Sequence, residues 1–436
     1  MKRVVLTLIT LIAATAATAE TLTFQQALER ALQVNNTVER SRADINVADA
    51  NRRQLLSNVL PRITLSGAGQ RNSEEVQFGS GSDARTILPA NDWNYRLVMS
   101  QPIFAGRREL RAYSQAKLGV ESARDTVAAT EDAVLLRVAA NYLQIVDSDA
   151  RIEIEKRNIE LAEKRRTQAQ AFYEAGESTR VDVLRAETAI KASQRQLAVA
   201  QQVRETAASQ LRADLDLDGP VDVARPEHPL PPVPTETQLV STAESVRPDV
   251  QLAQNNLRIA ELEIQKQRGF WLPTVTFDGG WINQKTQFPA GRYSYGALRF
   301  NVPLLQSGEV EARIAGAKAR ELQARLDLDT AKIDAREDVR RALVDLRSAE
   351  TSLGLAKEQL AAAEAEYQQS FELYRAQEAT SLDVATSEAS LAEARRAVAE
   401  ETLNRDVAEL RVWYAAGAIK NAVGVAAANT TEQSTK

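Results

Sequence analysis

The chain has 436 residues, a formal charge of −5, a single histidine and no cysteine. These counts exclude disulfides, thiolate metal sites and lipid attachment through an N-terminal cysteine, and no basic patch emerges that would suit a nucleic-acid partner. Hydrophobic residues make up 44% but aromatics only 5%, much of the remainder being alanine, so the composition suits narrow helix–helix seams rather than a thick core.

Met1 to Ala19 reads as a cleaved secretory signal: a basic start (Lys2, Arg3), an apolar run from Val4 to Ala14, and Ala17-Thr18-Ala19 before Glu20. The apolar run is too short for a transmembrane anchor, and its loss takes the charge to −7. Thr23 to about Asn58 is expected to be helical, with Phe24, Ala27, Leu28, Ala31 and Leu32 on one face and Pro61 as the stop. Two strands follow, at about 62–72 and 92–102, separated by a Gly/Ser/Asp-rich loop from about Ser73 to Asn91. From Gly106 to Asp218 there is no proline and one interruption, Ala175-Gly176-Glu177, which predicts a long helical hairpin. Gly219 to Pro248 is a Pro-rich connector, packed around the middle of the helical region together with the residues beyond Tyr414. It holds His228, which without companions makes neither a metal site nor a triad.

The pattern then starts again. A helix is followed by strands at about 274–284 and 293–303, and by a second proline-free run from Gly308 to Tyr414, interrupted at Ala376-Gln377-Glu378. Leu353, Leu360, Tyr367 and Tyr374 recur every seven residues with small partners Ala356, Ala363 and Ser370, a coiled-coil stripe with room for close approach. The first helix of this run would be about 95 Å long at 1.5 Å per residue. The end from about Ala427 has a disordered composition. The domain scheme is therefore 1–19, 20–218, 219–248, 249–415 and 416–436.

The two halves are copies. Tyr173-x-Ala175-x-Glu177-x-Thr179-x-x-Asp182-Val183 reappears 201 residues later as Tyr374-x-Ala376-x-Glu378-x-Thr380-x-x-Asp383-Val384, with Glu187 matching Glu388. Val59-Leu60-Pro61 likewise faces Trp271-Leu272-Pro273. The strand segments alternate in polarity and carry Trp93, Tyr95, Trp271, Trp281, Phe288, Tyr293, Tyr295 and Phe300 in or beside them, as membrane barrel strands require. Two soluble hairpins capping a helical rod are the alternative. Against it stand the secretory signal and the apolar faces Ile63/Leu65 and Val275/Phe277, which have no partner sheet in the chain. Four strands cannot close a barrel, and open edges cannot face lipid, so the membrane reading requires further copies of the chain.

Signal, duplicated helix–strand–loop–strand–hairpin units, and Tyr-x-x-Gly-x-x-x-x-x-Asp-Val-Leu at Tyr173 to Leu184 together resemble the TolC-like outer-membrane efflux protein family over nearly all of the mature chain. The resemblance implies a mostly α fold: duplicated helical hairpins in a periplasmic α-barrel, and four strands per chain in a homotrimeric 12-strand barrel in the outer membrane of a Gram-negative bacterium. It implies docking to a periplasmic adaptor protein and an inner-membrane transporter, and export of small molecules or of proteins by the type I route. Carried over, Ala175, Gly176, Glu177, Ser178, Thr179 and Arg180, with Ala376, Gln377, Glu378, Ala379, Thr380 and Ser381, form the adaptor-docking tip. Asp383 matches a position lining the constriction, Asp182 one that holds the tunnel shut, and Tyr374 lies near it. Ordinary N-capping after a turn is the plainer role for both aspartates. The chain departs from relatives at Gln377 (Gly176 in the first copy), Thr386 and Ala379, so closure is expected to use other bonds, through Arg180 or Arg375.

No phosphate-binding glycine loop, metal spacing or nucleophile motif appears, so no catalysis and no cofactor are expected. Glu153/Arg157 and Glu160/Lys164 read as solvated helix pairs. A periplasmic coiled-coil adaptor or structural rod without a pore is the competing function.

Overall fold

The computed structural model describes residues 21–79, 81, 84–226, 230–286, 291–376 and 378–425. The signal segment Met1–Ala19, His228, Phe288, Gln377 and the tail from Ala427 lie outside the described residues.

The first half of the chain runs β1 (Thr21–Leu22), α1 (Phe24–Val34), α2 (Asn36–Ser57), β2 (Arg62–Arg71), β3 (Val76–Phe78), β4 (Arg85–Leu88), β5 (Asn91–Ala105), α3 (Arg108–Glu174) and α4 (Arg180–Leu215). The second half runs β6 (Asp222–Val223), α5 (Glu236–Val246), α6 (Pro248–Arg268), β7 (Thr274–Gln284), β8 (Arg292–Asn301), α7 (Glu309–Arg375), α8 (Ser381–Ala415) and α9 (Ile419–Ala422). Helices α3 and α7 are each 67 residues long, as expected of the two Ala/Glu/Arg/Leu-rich runs. Three segments differ from the sequence expectation. The first helix is broken at Asn35, whose side chain accepts from the Thr37 amide at 3.0 Å and donates to Asp214 at 3.1 Å, so local side-chain bonding competes with the helix. The loop after β2 carries the short antiparallel pair β3–β4, and the Pro-rich connector contains α5.

The chain divides into two compact units. The first comprises the described residues within 1–39, 130–243 and 336–436. Its core is built on α1, whose Thr23 and Gln26 form a capping box and whose Phe24, Ala27, Leu28, Ala31 and Leu32 are all buried. They pack with Leu135, Val138 and Tyr142 of α3, Leu211 and Leu215 of α4, Leu410 and Trp413 of α8, and Ile419 of α9. Tyr142 meets Phe24 edge-on at 5.3 Å. Its hydroxyl is shared between the carbonyls of Leu22 and Ala224, at 2.8 and 2.6 Å, which fastens the parallel β1–β6 pair to the helices. Further along, Leu360 and Tyr367 of the predicted stripe pack on Ala363, Leu391 and Ala394, forming the α7–α8 seam.

The second unit comprises residues 40–129 and 244–335. It holds an antiparallel sheet in the order β2-β5-β7-β8. The register slips between Pro102 and Phe104, where proline supplies no ladder donor. At the end of β5 the backbone meets the end of α6: Gly106, at φ +65, lies so near Gly269 that a Cβ there would sit 2.2 Å from the Gly269 carbonyl oxygen. Beside this contact the guanidinium carbons of Arg108 and Arg313 lie 4.4 and 4.7 Å from the Phe270 ring centroid, a double cation–π contact.

Candidate functional site

The two helical turns are built alike. In the first, the Glu177 amide donates to the Phe172 carbonyl at 2.8 Å; in the second, the Glu378 amide donates to the Leu373 carbonyl at 2.9 Å. Both are the six-to-one bonds of a Schellman ending, and Gly176 takes the left-handed conformation that ending requires, at φ +79. Each turn then enters the next helix through a capping box. The Thr179 amide donates to Asp182 at 3.1 Å and the Thr380 amide to Asp383 at 2.8 Å. The capping role open to both aspartates on sequence grounds is therefore realised. Ala175, Gly176, Glu177, Thr179 and Arg180 are exposed, as are Ala376, Glu378 and Thr380, while Ser178, Ala379 and Ser381 are half-buried.

Beyond the cap the two aspartates part company. Asp383 is exposed; its other bond comes from the Thr380 hydroxyl at 2.7 Å, and these Thr380 bonds hold its carboxyl below the usual range. Asp182 accepts from the hydroxyls of Thr179 (2.9 Å) and Ser178 (3.2 Å), and from Ser381 of the other turn. Partial burial pushes its carboxyl up, but the Ser381, Thr179 and Ser178 bonds outweigh this and bring it down to about 2. Arg185 adds an ion pair at 3.5 Å.

The Asp182–Ser381 bond joins the first hairpin to the second, and two further contacts do the same. Arg165 of α3 pairs with Glu388 of α8 and reaches the Ser381 carbonyl at 3.4 Å. Phe172 of α3 meets Tyr374 of α7 at 6.0 Å, edge to face. Burial raises the Tyr374 hydroxyl, the Asp182 carboxylate raises it further, and Arg165 opposes.

The sequence points to Arg180 or Arg375 for such a bond. Arg375 instead pairs with Glu372 on its own helix, and Arg180 points to solvent. Arg165 was missed. Its signal was positional: it stands seven residues before Phe172, on the same helical stripe, where the second copy has Glu366. Among the solvated pairs, Glu160–Lys164 forms at 2.7 Å, whereas Glu153 takes Lys156 rather than Arg157, at 2.8 Å.

The sheet is a second candidate surface. Its register places Ile63, Leu65, Leu97, Met99, Phe277, Trp281, Leu298 and Phe300 on one face, and Arg62, Thr64, Ser66, Arg96, Ser100, Thr276, Asp278 and Arg299 on the other. The apolar face is open: Leu65 is 69% and Phe300 76% exposed. On the polar face Arg299 pairs with Asp278 at 3.1 Å. Strands β2 and β8 each have a partner on one side only. A wall apolar on one side, polar on the other and unpaired at both edges is unstable in water and suited to a bilayer. Among the described residues no helix is long and apolar enough to cross a membrane, and no group of three ionisable side chains is arranged to hold a metal.

Comparison with known proteins agrees with this geometry. The chain is 24% identical over 415 residues to the outer membrane efflux protein BepC of Brucella suis biovar 1, covering 93% of this chain and 86% of that protein. Its fold is similar to that of CusC, with a TM-score of 0.78 at 17% identity, covering 90% and 92% of the two chains. It is also similar to the open-state MtrE outer membrane channel of Neisseria gonorrhoeae, with a TM-score of 0.76 at 18% identity, covering 92% and 90%. The family model for outer membrane efflux proteins matches residues 27–215 and 239–418, and the chain belongs to that family of the Gram-negative outer membrane.

Proposed function

We propose that three copies of this chain form the outer-membrane exit duct of an export system. The β2-β5-β7-β8 sheets would close into one 12-strand barrel, and the helical hairpins would surround a periplasmic tunnel. The observation that carries this reading is the four-stranded sheet with an open apolar face and two unpaired edges, which copies of itself would complete. The turns at Ala175–Arg180 and Ala376–Ser381 are the docking tip for a periplasmic adaptor, and an inner-membrane transporter supplies substrate and energy. Asp383, exposed beyond its cap, is the constriction carboxylate; three in a ring favour cations and bind multivalent ones. Asp182, Tyr374 and the Arg165–Glu388 pair hold the two hairpins of each protomer together in the closed state.

The test is single-channel conductance of the purified protein in a planar bilayer, wild type beside Asp383→Asn. A discrete, cation-selective conductance whose selectivity falls in the variant supports both the duct and the carboxylate ring. Conductance with unchanged selectivity rejects Asp383 and keeps the duct. Folded protein that fractionates with the periplasm and never inserts points instead to a coiled-coil rod.

A further inference from the structure

The polar face of the sheet carries a charge pattern of its own. Its ionisable carboxylates and guanidiniums are Arg62, Asp92, Arg96, Asp278 and Arg299, three positive against two negative. Asp278 is taken by Arg299 at 3.1 Å. Asp92 stands four residues before Arg96 on the same strand, about 13 Å away at 3.3 Å per residue. The register partners of Arg96 are Ser66 and Ile282, and its next neighbours on this face of β5 are Asn94 and Val98, none of which carries charge. Arg96 is exposed and stands partway along β5, clear of both strand ends. The opposite face carries arginine only at strand ends, Arg71 and Arg292, where lipid headgroups and water are in reach.

On the duct reading above, on which this inference rests, the polar face lines the lumen. Twelve strands about 4.8 Å apart and tilted about 40° enclose a circumference of about 75 Å, hence a backbone radius of about 12 Å. An extended arginine then brings its guanidinium inside a Debye length, about 8 Å at 0.15 M salt, of the barrel axis. Three such side chains at one height act together on any solute passing between them. We propose that Arg96 forms a three-fold arginine ring within the outer-membrane barrel that binds passing anions, with preference for multivalent carboxylates and phosphates. Guanidinium matches these groups bidentately, and the neighbouring hydroxyl of Ser66 adds a neutral donor. The duct thereby has two charge filters of opposite sign: carboxylates at the helical turns and guanidiniums in the barrel. The ring is incomplete in one chain, since a single exposed arginine has little affinity for an anion in water.

The experiment uses full-length trimers in planar bilayers, with inorganic tripolyphosphate added on the barrel side as a blocker. Wild type should be blocked reversibly. Arg96→Gln should raise the half-blocking concentration at least tenfold, and Arg96→Lys should keep most of the block. Ser66→Asp, which sets a carboxylate opposite Arg96 and leaves the arginine in place, should weaken the block like Arg96→Gln. This second variant guards against a defect of assembly in the first. Equal block in wild type, Arg96→Gln and Ser66→Asp overturns the ring and leaves the duct standing. Wild-type protein that folds and never inserts overturns the duct and the ring together.

Discussion

Removing the Arg165 side chain should release the first hairpin from the second. Arg165 and Glu388 retain 15% and 12% of their side-chain exposure, so the pair is largely but not wholly desolvated. Deleting one member of a fully buried pair costs about 3–5 kcal/mol, chiefly because the other charge is left uncompensated. Residual solvent contact reduces this, and about 2 kcal/mol per protomer is the working figure. The loss of the Arg165 bond to the Ser381 carbonyl falls within it. At 1.36 kcal/mol per decade, 2 kcal/mol is about thirtyfold in each protomer, enough to move one protomer's closed-to-open ratio from about 100:1 to about 3:1, and a concerted opening of three protomers shifts by more. The assay is open probability of Arg165→Ala trimers in planar bilayers, with Glu388→Ala and the double variant beside it. Alanine is the best helix former, so α3 itself should hold. The double variant should be no more open than the more open single variant, because the two side chains act as one contact. Asp182→Ala removes the separate Ser381 bond and should open the channel further in the Arg165→Ala background. The reasoning fails if Arg165→Ala assembles as wild type and its open probability stays within twofold. It fails also if all variants shift equally with a general loss of thermal stability, since the pair would then hold the fold rather than a state.

Two further outcomes follow from the fold. Gly106→Ala should destabilise the second unit by about 3 kcal/mol or more, read as a lowered urea midpoint, because strain at φ +65 adds to a 2.2 Å collision with the Gly269 backbone. Gly176→Ala, at φ +79 with open space around it, should cost only the left-handed penalty of about 1–2 kcal/mol. Asp132 supplies the pH prediction. Burial, helped by the neighbouring Glu131 charge, outweighs the pull of Lys420, which lies 3.6 Å away and also pairs with Glu131 at 2.8 Å, and the carboxyl ends up raised to about 6. A carboxyl raised in the folded state destabilises the fold when ionised, so the penalty is full above about pH 6 and is relieved on acidification. Stability should therefore rise by about 1 kcal/mol between pH 7 and pH 5, and Asp132→Asn should flatten that rise; a wild type that loses stability over this interval would contradict it.

Much of the fold was legible because the signals were long or duplicated. A 67-residue helix leaves a run of strong helix formers without proline, and Leu360 and Tyr367 fell on the seam their spacing announced. Alternation placed Ile63 with Leu65 and Val275 with Phe277, and the register carries each pair on one face. What sequence could not give was short or non-local. The β3–β4 pair has only three and four residues, too few for a periodic signal. The break at Asn35 depends on Asp214, and the Phe270 contact on Arg108 and Arg313, partners far away in sequence.

The turns show why the candidate site was only half readable. Positions identical in the two copies make what the copies share: Thr179 and Thr380 cap, and Asp182 and Asp383 return the bond. Positions that differ set the two aspartates apart. Ser178 donates to Asp182, whereas its counterpart Ala379 has nothing to give Asp383. Ser381, standing where the first copy has Arg180, turns across to Asp182; Arg165, standing where the second has Glu366, turns across to Glu388. Duplication alone would predict two equal aspartates. Divergence at these few positions surrounds Asp182 with donors on both hairpins and leaves Asp383 with its own cap and open water. The division of labour proposed for them, closure for Asp182 and ion binding for Asp383, follows from that difference in bonding. Exchanging the donors tests it directly. Ala379→Ser with Ser178→Ala should lower the Asp383 carboxyl and raise that of Asp182 in an NMR titration, while an unchanged order would mean that the Ser381 contact alone sets the asymmetry.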